Sequence, residues 1–78
     1  MIVDGAKFKA ARLASGKNRL LIAVAGGYSS DVRVFQIEKN PAGEVPDIRL
    51  IPMCKAMGCT MDDVANNPRN TTKFVQEA

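Results

Sequence analysis

Ser30-Asp31-Val32-Arg33-Val34-Phe35-Gln36-Ile37-Glu38 decides the fold, because it admits two readings. From Val32 to Ile37 it carries three β-branched residues and one aromatic, a composition that suits a strand. Paired with the apolar run Leu20–Ala25 across Gly26-Gly27-Tyr28-Ser29-Ser30-Asp31, it would make a β-hairpin. Read as a helix, the same stretch places Val34 and Ile37 three residues apart on a buried side. Ser30 then serves as N-cap, while Asp31, Val32, Arg33 and Gln36 face outward. A short apolar run has no period that separates the two, so the flanking sequence must do it.

Upstream, Asp4 is a good N-cap for Gly5–Ser15, which is rich in Ala, Lys, Arg and Leu. Phe8, Ala11 and Ser15 share one face, Lys7 and Lys9 turn outward, and Gly16 ends the helix. Asn18 is the N-cap candidate for a second helix, Arg19–Ala25, stopped by Gly26-Gly27. Downstream, Lys39–Asp47 reads as a loop, and Pro52 is expected in the first turn of a fourth helix that ends at Met57 before Gly58. Thr60 caps a fifth helix with Asp62 and Asp63 in its first turn, closed by Asn66-Asn67-Pro68. The organisation expected is one domain over residues 1–67 and a polar C-terminal tail over 68–78, anchored only by Phe74 and Val75.

Composition narrows the chemistry. At 78 residues the chain is one domain, 46% hydrophobic and 24% charged, with four aromatic residues and a formal charge of +3. The charge is uneven: Lys7, Lys9, Arg12, Lys17 and Arg19 occur with no acid among them, a distribution suited to a polyanion. There is no histidine, so a serine or cysteine nucleophile lacks its usual base, and Cys54 and Cys59 cannot complete a zinc site. Asp62 and Asp63 are adjacent and diverge by about 100° on a helix, too far to act as a facing carboxylate pair. Ala25-Gly26-Gly27-Tyr28 lacks the Gly-Lys-Ser/Thr of a phosphate-binding loop. The expectation is no enzyme activity, no metal, no cofactor and no small-molecule substrate. The two thiols are read as core residues of a reducing cytoplasm, with no disulfide between them. No apolar run approaches membrane-spanning length, and Met1-Ile2-Val3-Asp4 does not read as a signal peptide.

Three stretches settle the ambiguity in favour of helix. Met53-Cys54-Lys55-Ala56-Met57-Gly58-Cys59-Thr60-Met61-Asp62-Asp63-Val64 resembles the last two helices of phage Cro/repressor-type (XRE-like) helix-turn-helix domains. Ile37-Glu38 before Lys39-Asn40 looks like the end of that family's recognition helix, and Arg12, four residues before Gly16, with Ile22-Ala23 beyond, is similar to its first two helices. The likeness runs from about Asp4 to Val64. It implies an all-α fold of five helices, with the second and third forming the helix-turn-helix, and a partly buried ion pair between Arg12 and Glu38 that locks two helices.

The function implied is sequence-specific binding of double-stranded DNA by a transcriptional regulator. It would be a cytoplasmic homodimeric repressor, from a prophage or mobile element, acting by steric occlusion. In that reading Asp31, Val32, Arg33 and Gln36 address base edges, although Asp31, an acid in the first turn, reads first as support for the helix dipole. Asn18, Arg19, Ser30, Lys39 and Asn40 address phosphates. Three places depart from the family pattern: the turn from Gly26 to Ser30 is one residue longer, Leu20 and Val24 stand where polar groups are usual, and Phe35 occupies an outward position. Exposed apolar residues of this kind mark protein surfaces, so the alternative is a helix-turn-helix domain turned to protein–protein interaction through Leu20, Val24 and Phe35.

Overall fold

In the computed structural model, which describes residues 1–66, the stretch in question is helical. The elements in chain order are β1 (Ile2–Val3), α1 (Gly5–Ser15), α2 (Arg19–Ala25), α3 (Val32–Lys39), β2 (Gly43–Glu44), α4 (Asp47–Met57) and α5 (Met61–Val64). The hairpin alternative is thereby excluded. The tail over 68–78, with Phe74 and Val75, lies outside the described residues.

Local chemistry explains most of the helix ends. The Asp4 carboxylate accepts from the Ala6 amide at 3.0 Å and the Lys7 amide at 3.4 Å, and the Asn18 side chain accepts from the Leu21 amide at 2.9 Å. Thr60 and Asp63 form a reciprocal capping box on α5. At the end of α2, the amides of Gly27 and Tyr28 donate back to the Val24 and Ala23 carbonyls, both at 2.9 Å. Gly27 takes φ = 85° to close this turn, a conformation that costs a side-chain-bearing residue.

Four expectations need correction. The fold is mostly helical rather than all-α: β1 pairs antiparallel with β2 in the register Ile2–Glu44 and Val3–Gly43, and Val3 also bridges Ala65. Two-residue strands bear no periodic signal, so nothing in the sequence announced them. The span Lys39–Asp47, expected to be loop throughout, therefore contains β2, and it also sends Val45 into the core. Helix α4 starts at Asp47 with Pro46 as its N-cap, which leaves Pro52 in its interior rather than in its first turn. The extended backbone that Pro46 adopts is the geometry of a helix entry, and α4 proceeds through Pro52 despite the missing amide. Finally, Ser30 is not the cap of α3; Asp31 holds that place without a side-chain hydrogen bond.

The core is aliphatic and thioether-rich: Val3, Phe8, Ile22, Ala23, Val34, Ile37, Val45, Leu50, Met53, Cys54, Met57 and Val64 are buried together. The N-terminal segment threads through it. The Asp4 amide donates to the Val64 carbonyl and the Asn66 amide to the Ile2 carbonyl, each at 2.9 Å. One chain segment thus ties the loop after α3 to the end of α5. On α1 the inward face is Phe8 and Arg12, with Ala11 and Ser15 only partly covered.

Cys54 and Cys59 are both free thiols. Their neighbourhood follows from the end of α4, where Cys59 donates its amide to the Cys54 carbonyl at 3.0 Å across Gly58. Burial pushes the Cys54 thiol up to about 12 and also raises that of Cys59. Since the thiolate is the nucleophile, alkylation by iodoacetamide at pH 8 is expected to modify Cys59 first and to leave Cys54 unmodified until urea unfolds the protein. Mass spectrometry of digested samples along a urea series reads this. Equal rates at the two sites in native buffer would contradict the burial of Cys54.

Candidate nucleic-acid interface

The sequence places one carboxylate, Glu38, at the end of α3, and the fold brings two arginines to it. Arg12 of α1 donates Nε to Oε2 at 2.5 Å and Nη2 to Oε1 at 3.3 Å, with its remaining nitrogen, Nη1, donating to the Lys17 carbonyl at 3.3 Å. Both Arg12 and Glu38 are 8% exposed, so this is a buried, two-pronged pair of the kind expected from the resemblance. Arg19, the first residue of α2, adds a third bond, Nε to Glu38 Oε1 at 3.0 Å. One carboxylate therefore fixes α3 to both α1 and α2.

With α3 held at that end and with Val34 and Ile37 in the core, its other side is left to solvent. Asp31, Val32, Phe35, Gln36 and Lys39 are all exposed, Val32 at 55% and Phe35 at 42%. Arg33 is different. It is half-buried and donates Nη2 to the Glu44 carbonyl at 2.8 Å, turned toward β2. Four of the residues assigned to base edges thus divide into three that face solvent (Asp31, Val32 and Gln36) and one engaged with the protein's own backbone.

The residues assigned to phosphates are also spread. Ser30 is exposed in the turn before α3. Asn18 spends its side-chain oxygen on capping α2, and Asn40 spends its own on the Ala42 amide at 3.0 Å. Asn40 also gives its carbonyl to the Gly5 amide at 2.9 Å. Arg19 and Lys39 both approach Phe35: the Arg19 guanidinium lies 5.1 Å and the Lys39 ammonium 4.8 Å from the centroid of its ring. Compared with protein-family models, with curated proteins and with solved structures, the chain matches none. Any assignment of function therefore stands on this geometry and on the residue pattern.

Two contacts lay beyond sequence reading. Arg49 of α4 donates Nη1 to the Gly26 carbonyl at 3.0 Å and stacks 4.7 Å from the Tyr28 ring, which pins the long turn between α2 and α3. The separation of twenty-odd positions carries no local signal. The Phe35–Lys39 contact did have one, since residues four apart on a helix are neighbours. On α2, Leu20, Val24 and also Leu21 are exposed, so its outer face is apolar. Among the described residues no group of three or more metal-binding side chains gathers, and no helix is long and apolar enough to cross a membrane.

Proposed function

We propose that this protein is a helix-turn-helix regulator of the Cro/repressor type that binds double-stranded DNA with sequence preference. The observation that carries the reading is the disposition of α3. Its inner side is clamped by Val34, Ile37 and the Arg12–Glu38–Arg19 network, and its outer side is bare. An eight-residue helix is about 12 Å long and fits a major groove about 12 Å wide. In the groove Gln36 pairs with adenine, Val32 meets a thymine methyl, and Asp31 accepts from a cytosine amine or only supports the helix. Arg33 reaches guanine by exchanging the Glu44 carbonyl for it. Arg19 and Lys39 supply charged phosphate contacts, with Asn18, Ser30 and Asn40 around them. A homodimer on two half-sites roughly 34 Å apart would occlude a promoter in the cytoplasm of a cell carrying a prophage or mobile element, with no cofactor and no chemistry.

Selection from random duplex DNA, followed by affinity measured against salt, tests this. A consensus should emerge, and each charged phosphate contact should contribute about −0.9 to the slope of log K against log salt. Gln36→Ala is expected to relax preference at one base pair, by about 1–3 kcal/mol, and to leave the slope unchanged. No consensus together with a flat salt response overturns the reading. The exposed apolar face of α2 favours a second one, docking of a protein through Leu20, Val24 and Phe35. That reading expects Val24→Asp to abolish association and duplex DNA to have no effect.

A further inference from the structure

Phe35 is the residue that fits neither a polar groove-reading helix nor a simple apolar docking patch. Its ring is shared by two cations from different helices, Arg19 at the start of α2 and Lys39 at the end of α3. Glu38 is the only carboxylate in this network and is already bonded twice by Arg12. That same carboxylate also takes Arg19 at 3.0 Å, so it serves two arginines, while no salt bridge reaches Lys39 among the described residues; Arg12, Arg19, Lys39 and Glu38 together keep a net excess of two positive charges. Two like charges near one another repel, and on flexible side chains they would separate in solvent. The quadrupole of an aromatic ring attracts both, and here it costs the protein nothing in charge.

We propose that Phe35 is a positioning residue that stations Arg19 and Lys39 as a joint clamp for one DNA phosphate. An anionic tetrahedral oxygen group completes the network, because it supplies the negative charge that Glu38 does not. The ring does the holding: it keeps the two heads together without neutralising them, which an acidic residue at position 35 would do. This assignment rests on the DNA-binding reading and removes Phe35 from the protein-docking set.

The test compares wild type, Phe35→Leu and Phe35→Tyr on the duplex selected by the wild-type protein. Phe35→Leu keeps an apolar group and removes the ring. It is expected to lower affinity about tenfold at 0.1 M salt and to flatten the salt slope by about one unit, with the selected consensus unchanged. Phe35→Tyr, which keeps the ring, should behave as wild type. Adding Arg19→Met to Phe35→Leu should remove less than Arg19→Met does alone in wild type, because the clamp is already open. A wild-type slope in Phe35→Leu overturns the clamp while leaving DNA binding intact. Loss of preference at one base pair with an unchanged slope also overturns it, and places Phe35 on a base instead. Failure of the wild-type protein to bind any duplex sinks the regulator reading itself. Far-ultraviolet circular dichroism of each variant shows that it is folded, as expected for a side chain this exposed.

Discussion

Glu38→Ala is expected to destabilise the protein by about 3–5 kcal/mol, because it leaves the buried Arg12 guanidinium without its counter-charge. The size follows from burial rather than from attraction. A surface ion pair is worth about 0–1 kcal/mol, since water serves either partner once the other is gone. Arg12 has no such recourse: it is 8% exposed, and the Lys17 carbonyl satisfies only one of its donors. Arg19 loses a bond as well, but it is half-exposed and water replaces Glu38 there. A domain of this size is stable by roughly 4–12 kcal/mol in total, so the loss removes a large share of that stability. The double variant Arg12→Met, Glu38→Leu is expected to recover most of the loss, because it removes both charges and keeps apolar bulk. Urea midpoints at constant m measure both. A loss below 1 kcal/mol for Glu38→Ala would mean that the pair does not lock α1 to α3.

What the sequence revealed and what it hid divide along a physical line. Helix boundaries set by side-chain chemistry within a few residues were legible: Asp4, Asn18 and Thr60 all cap as their residue types require, and Gly16 and Gly58 end their helices. The inward face of α3 was legible too, since Val34, Ile37 and Glu38 are related by one helical turn. Contacts that join distant segments were not. Nothing near Val3 in the chain points to its partners, and only the fold seats it between Gly43 and Ala65. Arg33 looks free to enter a groove, and only the path of the chain after α3 brings the Glu44 carbonyl within its reach. Pro52 was misplaced because propensity weighs one residue, whereas α4 draws its stability from Leu50, Met53, Cys54 and Met57 packed in the core. In the candidate interface the residue types were visible, but Phe35 could be assigned to a partner or a cation only once Arg19 was seen beside it.

Gly5→Ala carries the other large expected effect, and its sign is opposite to the general rule. In a helix, alanine is favoured over glycine by about 1 kcal/mol, so a free first turn would gain from the change. Here the first turn of α1 abuts the last turn of α3. A methyl group on Gly5 would lie 2.3 Å from the Ile37 carbonyl oxygen and 2.6 Å from those of Glu38 and Asn40. These obstacles are backbone atoms, and none can rotate away as a side chain would. The two helices would have to part by roughly 1 Å to restore van der Waals contact. That shift stretches the Gly5 amide bond to the Asn40 carbonyl and pulls Glu38 from Arg12. Overpacking costs about 1–3 kcal/mol and a lost hydrogen bond about 1 kcal/mol more, giving an expected loss of about 2–4 kcal/mol. For a domain of this length the midpoint of thermal unfolding should fall by roughly 10–25 °C. The same displacement moves Lys39, so under the DNA-binding proposal affinity for duplex should weaken further than the folded fraction alone accounts for. An unchanged or higher midpoint would show that α1 and α3 do not meet backbone to backbone at this point.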